Sequence, residues 1–204
     1  MARGNERFVT GAPRHPRQDV ERREEVAAAQ TPIAALFGCS DSRLAAEIIF
    51  DKGIGDLFVV RNAGQIISES VVGSLEYAVG VLNVPLIVVL GHDNCGAVLA
   101  AIESQGPDAV ALPPHINTLI SKIVPAVRRV GTETGALTDE GAIDPTTIDS
   151  HVVGREHLRD TIAELLDASE LISDAVAAGT LAIVGANYRL LEGRAVRDIA
   201  LGAV

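Results

Sequence analysis

The chain has 204 residues, enough for one domain with a substantial core. It is 48% hydrophobic but only 3% aromatic, so that core is built from Val, Ile, Leu and Ala, a composition that suits parallel strands packed between helices. The net charge of −10 argues against nucleic acid and against anionic membranes as partners, because both call for a Lys/Arg surface.

In chain order, the first 30 residues are polar and charged and contain no apolar stretch of signal-peptide type. Residues 18–30 have helix-forming composition, set off by Pro13 and Pro16. The apolar run at residues 32–37 predicts a first strand. A helix over residues 44–51, ended by Gly53 and Gly55, precedes a second strand at residues 56–60, and residues 61–65 read as a turn. Val71, Val72, Leu75, Ala78, Val79 and Leu82 recur at helical spacing and predict a helix over residues 68–82. A third strand follows at residues 86–90, and a helix from Cys95 to Ser104. Residues 115–129 fit a helix interrupted by Pro125, and residues 131–145 read as loop. Residues 146–178 read as a long helix broken near Gly154 and ended by Gly179. A fourth strand at residues 181–186 and an edge hairpin over residues 188–196 complete the pattern.

Alternation of this kind predicts a single α/β domain over residues 1–204. Its core is a parallel sheet in the order 2-1-3-4, with the hairpin as an edge strand and helices on the faces. In that order the winding reverses between the first and third strands, the place where open α/β sheets carry their sites. The longest apolar run, residues 84–90, is far short of the roughly 20 residues a membrane helix needs. The reading is a cytoplasmic protein. In a reducing compartment its two cysteines fit ligands, nucleophiles or core residues better than a disulfide.

Both cysteines lie just past strand ends, in Gly38-Cys39-Ser40-Asp41-Ser42-Arg43 and Gly91-His92-Asp93-Asn94-Cys95-Gly96. The reversal of winding brings the two stretches together. Cys39, His92, Cys95 and Asp41 are the residue types that hold zinc tetrahedrally. Asp41 has two readings. As a fourth ligand it closes the site; turned away, it pairs in bidentate fashion with Arg43 and leaves the fourth position to water, whose pKa zinc lowers from about 15.7 toward about 7. Blander readings stand beside these. Either cysteine alone fits a small core residue, and the two together fit a redox dithiol. Asp41 or Ser42 also fits a helix cap. Asp93 and Asn94 read as turn residues, and His15, His115, His151 and His157 as surface groups.

Cys-Ser-Asp-Ser-Arg after one strand and Gly-His-x-x-Cys-Gly-Ala after another resemble the paired signatures of the β-class carbonic anhydrases. Gly4-Asn5-Glu6-Arg7-Phe8, the segment from Phe58 to Gly64, and Glu76-Tyr77-Ala78-Val79 are also similar to segments of that family. The resemblance implies one Zn2+ per subunit on Cys39, His92 and Cys95, and reversible hydration of CO2 to bicarbonate and a proton by zinc-bound hydroxide. It makes Asp41 and Arg43 the catalytic dyad that orients the hydroxide, and Gln30, Phe58, Ala63, Tyr77 and Gly96 the substrate pocket. It further implies a homodimer or homotetramer whose partner subunit completes the pocket, with residues 1–30 as a helical arm against that partner. Some members carry a Trp three residues before the first Cys ligand, in a non-catalytic bicarbonate pocket. Leu36 stands there and the chain has no Trp, which argues against that form of inhibition. Two rivals remain: hydrolysis of CS2 or COS on the same scaffold, and a non-catalytic zinc module with Asp41 permanently bound.

Overall fold

In the computed structural model, which describes residues 1–138 and 141–203, the chain opens with α1 (Ala2–Val9) and α2 (Val20–Glu25). Next come β1 (Ala34–Cys39), α3 (Ala46–Ile49), β2 (Leu57–Asn62), α4 (Glu69–Gly80), β3 (Leu86–His92) and α5 (Gly96–Glu103). The second half contributes α6 (Pro114–Ser121), α7 (Val124–Thr134), α8 (Ser150–Ala168), α9 (Glu170–Ala177), β4 (Ala182–Arg189) and β5 (Arg194–Leu201). The strands form one sheet in the order β2-β1-β3-β4-β5, with only β5 antiparallel. The expected order and the expected edge strand are both present.

Burial follows position in the sheet. All six residues of β1 are buried, as are all of β3 after Leu86, as expected of central parallel strands covered on both faces. Side chains alternate between two cores. Leu36, Val88 and Leu90 face α5 and α7, together with Cys39 and Cys95. Ala35, Phe37, Ile87 and Val89 face α4, α9 and the middle of α8. No helix among the described residues is long and apolar enough to cross a membrane.

Several element ends differ from the sequence reading. The strands run further than expected: β1 continues through Cys39 and β3 through His92, because pairing with their neighbours persists past the apolar runs. The helix expected over residues 18–30 shrinks to α2, capped by the Asp19 carboxylate on the Arg22 amide. That expected over residues 44–51 shrinks to α3. Pro125 lies in the first turn of α7 rather than interrupting a helix, consistent with its missing N–H. α7 reaches Thr134, so the expected loop begins at Gly135; positions 139–140 of that loop lie outside the described residues. The long helix breaks at Ser169, not Gly154: the Ser169 hydroxyl accepts from the Ile172 amide and donates to Glu76, starting α9.

The N-terminal segment is fastened to the body by buried polar groups. Asn5 donates to the Ile49 and Gly193 carbonyls (3.1 and 2.8 Å) and accepts from the Ala195 amide (2.9 Å). Arg7 pairs with the buried Asp51 at 2.6 Å, and Arg17 donates to Asp56 at 2.8 Å.

Leu165 is fully buried between α8 and the sheet. Replacing it with Ala should cost about 2–5 kcal/mol, read as a lower urea midpoint at unchanged slope. An unshifted midpoint would mean that this face is not a packed core.

Candidate metal centre

The centre starts from register. Gly38 pairs with Leu90, so Cys39 lies beside Gly91 and His92 is one residue further along the neighbouring strand. Asp93 and Asn94 then turn the chain, Asn94 in the left-handed region at φ 48°, and Cys95 becomes the N-cap residue of α5. The turn is tied to β4: the Asp93 amide donates to the Tyr188 carbonyl and the Asp93 carboxylate accepts from the Leu190 amide.

Cys39, His92 and Cys95 are each at most 6% exposed, and one ligand atom from each lies within 4.8 Å of the others. Small side-chain rotations bring such a span onto one ion with bonds of about 2.0–2.3 Å. The imidazole fits this use. Its Nδ1 lies 2.8 Å from the Asp93 carbonyl, which only accepts, so Nδ1 carries the proton. That leaves the Nε2 lone pair buried without a hydrogen-bond partner among the described residues, a costly state that a metal ion would relieve. Two sulfurs and one imidazole nitrogen form a donor set typical of zinc. Both cysteines are free in the structure.

The two thiols share their protons unequally. The neighbouring Cys95 thiol and the Gly64 amide, whose N–H lies 3.4 Å from Cys39 Sγ, bring Cys39 down to about 4 against the opposing effect of burial. Cys95 is pushed up, first by its hydrogen bond to Cys39 and then by burial. At neutral pH the metal-free pair therefore holds one thiolate and one thiol.

Asp41 is not among the clustered ligand atoms; it is held by Arg43. Arg43 Nε donates to Oδ1 at 2.9 Å and Nη2 to Oδ2 at 2.6 Å, and the Arg43 amide donates to Oδ1 at 2.9 Å. The Arg43 guanidinium keeps the Asp41 carboxyl well below the usual carboxylate range. Arg43 also reaches the Asn94 carbonyl at 3.3 Å, joining the two motif loops. Arg61, read from sequence only as part of a turn, is a second clamp: it donates to the carbonyls of Cys39 (2.8 Å) and Asp41 (2.6 Å). It sits on β2 opposite Gly38, a pairing that the sequence reading, which ended this strand at residue 60, did not include.

The expected pocket residues divide into two groups. Gly96 opens α5 next to Cys95, and Ala63 precedes Gly64 beside Cys39; both are exposed. Phe58 pairs with Ala35, four residues before Cys39 and thus about 13 Å down the strand. Tyr77, 45% exposed, stands with its ring 6.1 Å from that of Phe58. Gln30, also exposed, precedes β1 at the end of the sheet away from Cys39. Gln30 and Tyr77 are exposed, while Phe58 is half-buried against the core that Ala35 and Phe37 face, so this group stands apart from its own chain's centre. The expectation for His157 is corrected: it is 3% exposed, not a surface group. It lies on the buried stripe of α8 with Val153, Thr161 and Leu165, a four-residue spacing visible in the sequence.

Comparison with known proteins agrees with this geometry. The sequence model of the carbonic anhydrase family matches residues 34–195. The chain is 47% identical over 196 residues to carbonic anhydrase 2 of Mycobacterium tuberculosis, covering 96% of this chain and 88% of that one. It is 45% identical over 191 residues to a carbonic anhydrase of Mycolicibacterium smegmatis, covering 94% and 86%. Among solved structures it is similar to the β-carbonic anhydrase CcaA (TM-score 0.71, 26% identity, 96% and 91% covered). It is equally similar to tetrameric β-carbonic anhydrases of Sordaria macrospora (TM-score 0.71, 26% identity, 89% and 87% covered).

The thiol pair makes two checks available on metal-free protein. Because Cys39 is lowered on folding, its thiolate adds stability that is full above the ordinary thiol range and is lost as pH falls to about 4. Relative to Cys39→Ser, the wild-type urea midpoint should therefore rise with pH across that window; parallel profiles would refute the lowered thiol. Since Cys95 is still protonated, zinc binding at neutral pH should release about one proton from the pair, measured by calorimetry in buffers of different ionisation enthalpy.

Proposed function

The chain belongs to the β-class carbonic anhydrases, and on that premise we propose that it hydrates CO2 reversibly to bicarbonate and a proton at a zinc ion held by Cys39, His92 and Cys95. Zinc supplies there the Lewis acid that makes water a nucleophile at neutral pH. The protein's own residues do the rest. The two sulfurs balance the charge of the ion, and His92, fixed through Nδ1 by the Asp93 carbonyl, presents Nε2 in one tautomer.

The observation that carries this reading is the engagement of Asp41 with Arg43. A carboxylate held this way is withdrawn from the ligand set, so three protein ligands leave a fourth position for substrate water, the pattern of catalytic rather than structural zinc. Of the two Asp41 oxygens, Oδ1 accepts two hydrogen bonds and Oδ2 one. Oδ2 keeps a lone pair with which it would accept a hydrogen bond from the nucleophile and so orient it toward CO2. Arg43 holds Asp41 ionised, so the carboxylate stays an acceptor through the pH range of catalysis.

Ala63 and Gly96 form the near wall of the substrate pocket. Gln30 before β1, Phe58 on β2 and Tyr77 on α4, far from their own centre, form the other wall for a second copy of the chain. The working unit is thus a homodimer or homotetramer, with residues 1–30 as a further contact surface. The related Sordaria structures are tetramers. A cytoplasmic location completes the proposal, because a reducing compartment keeps both thiols available to the metal.

The test is stopped-flow CO2 hydration on protein of measured zinc content, with sulfide release from CS2 and COS assayed in parallel. Asp41→Ala should keep its zinc and lose roughly 10²-fold or more in kcat/KM. Cys39→Ser and His92→Ala should lose the metal and the activity together. Full CO2 hydration in any of these variants refutes the assigned role. Sulfide release without CO2 hydration would reassign the substrate.

A further inference from the structure

The centre is supported from behind by buried hydrogen bonds that the reaction as derived above does not use. His157 Nε2 lies 2.7 Å from the Gly64 carbonyl. A carbonyl only accepts, so Nε2 carries the proton and Nδ1 is a bare acceptor, buried and without a partner among the described residues. One turn later on α8, the Thr161 hydroxyl stands 2.8 Å from the His157 carbonyl and 3.3 Å from the Gln65 carbonyl. The single Thr161 proton goes to the nearer His157 carbonyl, so α8 holds the Gly64–Gln65 turn through His157, with Thr161 in weaker contact beside it. That turn is conformationally demanding: Gly64 has φ +78°, and Gln65, which is not a glycine, has φ +41°. On its far side Gly64 has no slack, since a Cβ there would lie 2.9 Å from Ala97 Cβ and 3.1 Å from Ile123 Cδ1. Its N–H, 3.4 Å from Cys39 Sγ, faces the candidate metal ligand.

We propose that His157 is a positioning residue of the metal centre: by holding the Gly64–Gln65 turn against α5, it presents the Gly64 N–H to the Cys39 sulfur and so sets the strength and direction of that sulfur as a ligand. The inference rests on the reading of Cys39, His92 and Cys95 as the metal site. Hydrogen bonds to a ligating sulfur tune how much charge it gives the metal. The donor here is a backbone amide, whose direction depends on the φ and ψ of a left-handed turn. That turn is wedged by Ala97 and Ile123 on one side and held by His157 on the other. The Gly64 carbonyl lies in the peptide that follows Gly64 and the N–H in the one that precedes it, so the two are linked through the φ and ψ of Gly64. Removing the His157 N–H frees the following peptide, releases those two angles, and lets the N–H turn away from sulfur. A role in packing alone would need the volume of the ring but not its N–H, and that difference can be measured.

The experiment compares His157→Leu, which removes the donor, with His157→Gln, whose amide N–H reaches about as far as Nε2. Zinc affinity is read by competition with a chelator, and the cobalt(II)-substituted proteins are read by their sulfur-to-cobalt charge-transfer band. His157→Leu should bind zinc about 10- to 100-fold more weakly and shift the band, and His157→Gln should restore both toward wild type. A folded His157→Leu protein with wild-type affinity and band overturns the proposal. Equal impairment in both variants also overturns it, because the lost quantity is then ring packing. Should His157→Leu fail to fold, wild type and His157→Gln are loaded with an NMR-active cadmium isotope. A Gly64 amide proton coupled to cadmium through Cys39 Sγ in both supports the proposal, and its absence from wild type overturns it. A wild-type chain that binds neither zinc nor cobalt brings down the metal site itself and this inference with it. A wild-type chain that binds both, with His157→Leu unaffected, brings down this inference alone.

Discussion

The site depends on β1 and β3 being parallel neighbours with Gly38 opposite Leu90. From β1 the chain crosses to β2 on one side of the sheet and returns to place β3 on the other. That reversal opens the crevice at the strand ends where Cys39 and His92 meet. A slip of one residue in this pairing would set the Leu36 face of β1 against the Ile87 face of β3, mixing the two cores, and would move Cys39 along the strand relative to His92. The apolar content of β1 and β3 therefore does more than drive collapse. It selects the one register in which the donor set converges.

Around that convergence, the charges keep a carboxylate close to the clustered side chains yet occupied. Asp41 lies two residues from Cys39 and is of a residue type that binds zinc, so the proposed reaction needs it held elsewhere. Arg43 holds its two oxygens and its own guanidinium is tethered to the Asn94 carbonyl; Arg61 fixes the backbone on either side of Ser40. Two cations thus brace one short loop from different elements. The N–H groups of Gly64 and of the first turn of α5 stabilise negative charge on the sulfurs, as helix N-termini do for anions.

Much of this was legible in the chain itself. Cys39, Asp41, Arg43, His92 and Cys95 stand out because their residue types and spacing have few other uses after apolar strands, and the strand order follows from the alternation of elements. What escaped reading depends on tertiary pairing. β1 and β3 extend past their apolar runs because their partners keep bonding to them, and residues 18–30 have helical composition but too little contact to hold more than one short helix. Arg61 looked like a turn residue because an arginine on a half-buried edge strand carries no local mark of what it will clamp. His157 was judged by its polarity, although its four-residue spacing from Val153 and Thr161 puts it on the inner stripe of α8. There the phase of the helix was a better guide than the character of the side chain.

The Asn5 contacts have a consequence for the order in which this protein can assemble. Asn5 is joined to Gly193 and Ala195, nearly the whole chain away, in the hairpin between β4 and β5. α1 thus gains its full seat only when the last hairpin is in place. Ile49 and Asp51 can hold it to the body before then, but by itself it is a short helix of marginal stability. Its complete docking reaches from α1 to β5 and is a late, long-range step of folding. A nascent chain stalled before β4 already contains Cys39, His92 and Cys95 and half of the seat for α1, but not the hairpin that locks it.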